Sequence, residues 1–330
     1  MEIFDRLRQF EILSHFDGEQ LDLLCSCLGR VTYEDQEAVL HEGEDSEDFF
    51  LIDQGEILIE RNTPYGAYSL ATLQAGELFG ETGFVDRHAR SGDAKAKGRS
   101  VLFQVRAADL LAASERNQRF AMVLYWALWK SLAVKLRRTN EVLAKFFDKT
   151  GPKGEGRSDV AQPDKVKVDI HAKKDLFREQ TLSPMEINFL ATLSREVKYG
   201  ADEYIFREGD PGDHLYVVLE GRVMIAKDIA GAGEEALAFL GRGEYFGEMA
   251  LIDEQPRSAA AKAHTDGAVL LLISRQVLGG ILDIQKVSSL RLLKLLCDLV
   301  AKRLREVDDK LVGWYIFDAG SGVSLGSPIL

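Results

Sequence analysis

Cysteine is scarce in this chain, with three in 330 residues. Cys25 and Cys27 lie too close to bridge each other easily, so reduced thiols rather than a disulfide framework are expected. Histidine is thin as well. His15, His41, His88, His171, His214 and His264 are scattered without a His-x-His pair. A metal-dependent β-barrel oxygenase would need them clustered, so neither a metal site nor catalysis is expected. No uninterrupted apolar stretch approaches the roughly 20 residues that cross a bilayer. The start, Met1 to Asp5, lacks the basic end and apolar core of a secretory signal. These absences lead us to expect a cytoplasmic protein with no membrane span. Basic side chains are also in deficit, 41 against 53 acidic, for a net charge of −12. That balance is opposite to a nucleic-acid binder's, and no DNA partner is expected. The acids from Glu34 to Asp48 have no Lys or Arg among them. They suit a solvated face or a docking surface for a basic partner.

What the chain does contain is a repeat. Glu42-Gly43 matches Glu208-Gly209 and Gly55 matches Gly221, both 166 residues apart. Gly80-Glu81 matches Gly247-Glu248 and Arg90-Ser91 matches Arg257-Ser258, both 167 apart. A set of Gly, Glu, Arg and Ser in constant register indicates two copies of one domain. The one-residue change, between Gly55 and Gly80, is expected at a hairpin tip.

Each copy runs helix, short strands, helix. Ala38 to Gly43 and Tyr204 to Gly209 have the pattern of strands ending in turns. Phe49 to Ile59 and His214 to Ile225 have that of paired strands broken by a glycine. The fold class expected is α+β, mainly β: two tandem β-roll or jelly-roll barrels, each flanked by helices and followed by a long helix. The boundaries expected are a first domain over 1–150, a linker over 151–174 rich in Gly, Pro and charge, a second domain over 175–312, and a tail over 313–330.

The most specific stretch is Phe246-Gly-Glu-Met-Ala-Leu-Ile-Asp-Glu-Gln-Pro-Arg-Ser-Ala-Ala260, with a second copy from Phe79 to Ser91. Each has a Gly-Glu pair opening a short helix and an arginine nine residues after the glutamate. These segments resemble the phosphate-binding cassette of the cyclic-nucleotide-binding domain family, and the resemblance extends over about 4–145 and 175–312.

The resemblance implies a receptor for cAMP or cGMP that needs no other cofactor. A helix start would offer the N–H groups of Met249, Ala250 and Leu251 to the phosphate. Gly247 would let the backbone approach closely. Arg257 would supply a charged fork to the phosphate oxygens. Glu248 would accept from the ribose 2′-hydroxyl and help hold Arg257. Ser258 and Ala259 complete the second set; Gly80, Glu81, Thr82, Arg90 and Ser91 form the first. The alternative for Glu248 and Arg257 is an ion pair that fixes a loop. The first copy departs more from the family pattern, with Ala89 for Pro256, Gly92-Asp93 for Ala259-Ala260, and Gly83 for Ala250. Asp93 would either bring a negative charge near the phosphate or face outward. The serine after each arginine occurs with both bases and does not separate cAMP from cGMP. Trp314 and Tyr315 are the candidates for an aromatic lid over the second nucleotide, with closure of the domain's own core as the other reading.

Met122, Tyr125, Trp129, Leu132, Leu136, Thr139, Leu143 and Phe146 recur at alternating spacings of three and four. So do Leu290, Leu293, Cys297, Val300, Leu304, Val307 and Leu311. The spacing fits a coiled-coil seam, and a homodimer through 122–146 or 290–311 is expected. The alternative is that each seam packs on its own domain.

Family effectors are not evident. The first long helix leads into the linker rather than a helix-turn-helix, and Arg137-Arg-Thr-Asn140 is a weak echo of a kinase-inhibitor motif. The function expected is therefore a non-catalytic receptor relaying a nucleotide signal to an unidentified protein partner by helix repositioning. The alternative is an assembly scaffold with degenerate sites, or a cargo protein docking through its tail. Val323 to Ser327 and the final Ile329-Leu330 slightly resemble the peptides that load cargo into encapsulin shells; a disordered end or an added strand is the other reading.

Overall fold

The structure is a computed structural model. It describes residues 3–147, 160–180, 182–229, 233–282 and 289–321. The chain divides into two compact units, one of Met1–Leu132 with Val300–Leu330, the other of Ala133–Leu299. The divisions fall inside the two long helices, so each helix contributes to both units.

The first unit opens with α1 (Ile3–Leu7) and α2 (Gly18–Ser26). A reciprocal cap starts α2: Asp17 accepts from the Gln20 N–H at 2.9 Å, and Gln20 Oε1 accepts from the Asp17 N–H at 3.0 Å. The strands are β1 (Leu28–Tyr33), β2 (Ala38–Leu40), β3 (Phe49–Thr63), β4 (Gly66–Gln74), β5 (Leu78–Phe79) and, after α3 (Glu81–Asp86), β6 (Asp93–Val105). Then come α4 (Ala107–Arg116) and α5 (Gln118–Phe147). The antiparallel sheet runs β1-β6-β3-β4, with β2 beside β6 and β5 beside β3. This path has two ends, so the roll is not a closed barrel.

The second unit repeats the plan. Its elements are β7 (Asp164–Lys165), α6 (Ile170–Arg178), α7 (Pro184–Leu193), β8 (Arg195–Tyr199), β9 (Tyr204–Phe206), β10 (His214–Ile229), β11 (Gly233–Leu240), β12 (Tyr245–Phe246), α8 (Met249–Ile252), β13 (Ala260–Ser274) and α9 (Arg275–Ile281). The sheet runs β11-β10-β13-β8-β7, with β12 beside β10 and β9 beside β13. Ser183 and Glu186 cap α7 reciprocally around Pro184. Glu186 also accepts from the Leu292 N–H at 3.1 Å, near the start of α10 (Leu290–Ser321).

The two cores correspond residue by residue. Leu40, Phe50, Ile52, Ile57, Leu73 and Phe79 in the first match Phe206, Tyr216, Val218, Val223, Leu240 and Phe246 in the second. Phe50 stacks on Phe79 at 5.1 Å and Tyr216 on Phe246 at 4.9 Å, so the last strand before each cassette is pinned by a ring pair. Thr63 pairs with Gly66, and Ile229 with Gly233. The first hairpin tip therefore has one residue fewer than the second, where the register change was expected.

Three expectations need correction. Each glycine-interrupted pair of strands is one continuous strand, β3 or β10, because Gly55 (φ 90°) and Gly221 (φ 78°) accommodate the irregularity without breaking it. The linker expected over 151–174 is already ordered at its end, where β7 pairs with β8 and α6 begins at Ile170. The tail expected over 313–330 starts inside a helix, since α10 continues to Ser321. The encapsulin-like segment lies outside the described residues.

Most of the described positions of both heptad seams are buried within the single chain. Met122, Trp129, Leu132 and Leu143 are buried, as are Leu293, Cys297, Val300, Val307 and Leu311. Burial also pushes the Cys297 thiol well above its usual pKa. The alternating spacing is thus accounted for without a second copy. Among the described residues, no helix is long and apolar enough to cross a membrane.

Candidate functional site: the two cassettes

In the second unit, β12 ends at Phe246 and the chain turns at Gly247 (φ 80°) into Glu248 and the single turn of α8. The turn needs glycine for two reasons. Its φ lies in the left-handed region, and a Cβ there would stand 2.5 Å from Arg257 Nη1. That nitrogen donates to the Gly247 carbonyl at 2.6 Å, and Nη2 donates to the His214 carbonyl at 2.9 Å. The Arg257 backbone is held too: its N–H donates to the Asp210 carbonyl and its carbonyl accepts from the Gly209 N–H, both at 2.9 Å. The guanidinium lies over the Phe206 ring at 4.3 Å and the Tyr216 ring at 5.6 Å. Arg257 is 4% exposed, and its Nε is buried without a hydrogen-bond partner.

Burial lowers the Arg257 pKa, opposed by the nearby Tyr216, Glu248, Asp213 and Asp210. The cassette thus holds a desolvated cation, flanked by a buried carboxylate, Glu248, at 2% exposure. Met249, Ala250 and Ala259 are buried beside it, and the Ser258 hydroxyl donates to Met249 Sδ at 3.4 Å. The expected donor Leu251 is already engaged, because its N–H bonds the Glu248 carbonyl at 3.0 Å. A one-turn helix closes on itself too early to leave that group free.

The first cassette is built alike. Gly80 (φ 80°) turns the chain, and Arg90, 5% exposed, donates Nη1 to the Gly80 carbonyl at 2.6 Å and Nη2 to the Asp48 carbonyl. Ser46 Oγ accepts from Arg90 Nε at 3.0 Å and from Nη2 at 2.8 Å. Glu81 is fully buried and accepts from the Ser131 hydroxyl at 2.8 Å, which ties the cassette to α5. Thr82 and Ser91 are half-buried at its rim. Asp93, expected near the phosphate or outward-facing, braces loops: it accepts from the Glu42 N–H at 2.7 Å and the Asn62 amide at 3.0 Å. Burial acts to raise its pKa, and those donors with Lys95 bring the net shift down.

Trp314 and Tyr315, expected over the second nucleotide, belong instead to the first unit. Tyr315 packs on Tyr68 of β4 at 4.4 Å, and Trp314 meets Phe317 edge-on at 5.9 Å. The helix that carries these rings runs on past the seam to Ser321.

Sequence reasoning missed several residues that hold the cassettes. Arg275, at the start of α9, donates to the carbonyls of Gly212, Ala250 and Leu251, at 3.1, 2.7 and 3.2 Å. Lys227 of β10 bonds the Ser258 carbonyl at 3.0 Å and Glu208 at 2.8 Å. Arg137, noted as part of a motif echo, donates to Asp253 at 2.7 Å and to the Pro256 carbonyl at 2.9 Å. The constant repeat offset was the available signal for Ser46 and Gly212. Nothing in the local sequence marked Arg275.

A family model, the cyclic nucleotide-binding domain, matches residues 30–117 and 196–285. The chain belongs to this family. It is 38% identical to the cyclic AMP receptor protein of Thermus thermophilus over 130 residues, 39% of this chain and 58% of that protein. It is 39% identical to a cAMP-dependent protein kinase regulatory subunit of Emericella nidulans over 92 residues, 28% of this chain and 22% of that protein. It is 24% identical to the cGMP-dependent protein kinase egl-4 of Caenorhabditis elegans over 278 residues, covering 84% of this chain and 30% of that one. The chain thus spans 58% or less of each of these curated relatives. Among solved structures, the regulatory domain of Toxoplasma gondii PKA with cAMP is 18% identical, with a TM-score of 0.31, covering 88% of this chain and 92% of that one. The two segments that match the family model assign the tandem cyclic-nucleotide-binding architecture. Among the described residues, no three His, Cys, Asp or Glu side chains group as a metal site.

Proposed function

We propose that the protein is a non-catalytic receptor for cAMP or cGMP, requiring no further cofactor, that passes its occupancy to a protein partner through α5 and α10. The observation that carries this reading is Arg257: a buried guanidinium fixed at two corners, with Nε unpaired, beside a glycine turn and a buried glutamate. A cation kept out of water in that geometry favours a compact anion, and the glutamate supplies the acceptor a ribose hydroxyl needs. The Ser131–Glu81 bond supports the relay, because a hydroxyl competing for Glu81 would alter its hold on α5. The acidic surface favours a protein output over DNA, in a cytoplasmic setting. Calorimetry with cAMP and cGMP, followed by capture of partners with and without the nucleotide, tests the proposal. A protein that binds neither nucleotide overturns it.

A further inference from the structure

The two cassette arginines share two anchors and differ in a third. Both donate Nη1 to the carbonyl of the turn glycine and Nη2 to a carbonyl at the start of the long strand, that of Asp48 just before β3 or of His214 at the head of β10. Arg90 has an additional acceptor, the Ser46 hydroxyl, which receives both Nε and Nη2. The repeat places Gly212 where Ser46 stands, and Arg257 Nε is left buried and unpaired.

The exchange involves a second position. A Cβ on Gly212 would lie 2.4 Å from the Ala250 Cβ and 2.9 Å from Arg257 Nε. The second cassette therefore has no room for a serine. In the first, Gly83 stands at the position of Ala250, and a Cβ there would meet Arg90 Nη1 at 3.1 Å, the His88 carbonyl at 3.3 Å and the Ser46 carbonyl at 3.5 Å.

We propose that Ser46 acts as an internal competitor for Arg90, so that the first cassette binds a cyclic nucleotide more weakly than the second although its Gly, Glu and Arg are intact. This rests on the receptor reading above. A guanidinium presents five N–H groups in a fixed fork. At Arg257 the Nε–H is available to a phosphate oxygen, whereas at Arg90 the same N–H must first leave the serine. The ligand's gain at the first site is therefore a difference between two acceptors. Ser46 is a positioning residue: it acts on the ligand through Arg90.

The test uses the full chain, with one site silenced at a time, titrated with cAMP and with cGMP. In an Arg257→Ala background, which reports the first site, Ser46→Ala should tighten binding about tenfold, the scale of a hydrogen bond to a charged group. In an Arg90→Ala background, Gly212→Ser with Ala250→Gly should weaken the second site by a similar factor. Ala250→Gly removes the nearest atom that a side chain at position 212 would meet. Circular dichroism checks that each variant keeps its β content. If the Arg90→Ala protein binds and Ser46→Ala leaves the first site unchanged, weaker or still silent, the competitor role is wrong and the receptor reading stands. If neither the parent nor the Arg90→Ala protein binds either nucleotide, both readings fall together.

Discussion

Arg305 of α10 grips Asp86, the last residue of the first cassette helix: Nε donates to Oδ2 at 2.5 Å, Nη2 to Oδ1 at 3.0 Å, and Nη1 to the Ala89 carbonyl at 2.9 Å. The second unit repeats the arrangement, with Arg137 on Asp253 and on the carbonyl of Pro256. In each unit a long helix is therefore fastened to the segment between the cassette helix and the cassette arginine. A ligand that shifts that segment acts directly on the helix.

The Asp86 side chain is fully buried, and Arg305 is 19% exposed. Removing one member of such a pair leaves a desolvated charge, which costs about 3–5 kcal/mol. Arg305→Ala should lower the stability of the first unit by that order in chemical denaturation, and Asp86→Asn should relieve part of the loss in the double variant. An Arg305→Ala protein as stable as the parent would show that the pair contributes nothing.

Alkaline pH provides a second test. Burial, with a smaller contribution from the neighbouring Tyr315, raises the Tyr68 phenol from its ordinary pKa to about 12. The folded state therefore keeps its proton where the unfolded chain, at about 10, has lost it. Stability from this group is complete below pH 10 and falls as pH rises from 10 to 12, by an amount on the order of 2–3 kcal/mol. Denaturation profiles across that range should be flatter for Tyr68→Phe. Identical slopes would place the phenol in solvent.

The lid expectation leads to a third. Trp314 and Tyr315 lie in the first unit, with Tyr315 on Tyr68. In an Arg90→Ala background, Trp314→Ala and Tyr315→Ala should leave nucleotide affinity at the second site unchanged. Tyr315→Ala should instead destabilise the first unit by roughly 1–3 kcal/mol, since the large buried face of Tyr68 loses its cover. A tenfold loss of second-site affinity would restore the lid.

These outcomes mark what the sequence could carry. The repeat register located both cassettes and the hairpin tip, because backbone requirements at Gly80, Gly247 and the strand glycines can be met by few other residues. The helix seams were legible as apolar faces but not as to what covers them: a three-four spacing is the same whether the cover is a second chain or the chain itself. Gly320 and the residues near it resembled a tail, yet α10 passes through Trp314 to Ser321, since glycine costs a helix only about 1 kcal/mol. Arg305, Arg275 and Ser131 could not be found from spacing, because their partners are distant in sequence and chosen by packing.

The central claim is that Arg257 is the anion anchor of a cyclic-nucleotide site. Its most direct test is a calorimetric titration of Arg90→Ala and of Arg90→Ala/Arg257→Ala, each shown to be folded, with cAMP and with cGMP. The account predicts saturable binding of at least one nucleotide by the first protein. In the second, affinity should fall about tenfold or more, the loss expected from a charged hydrogen bond of roughly 1.5–3 kcal/mol. Equal affinity in the two proteins would contradict it.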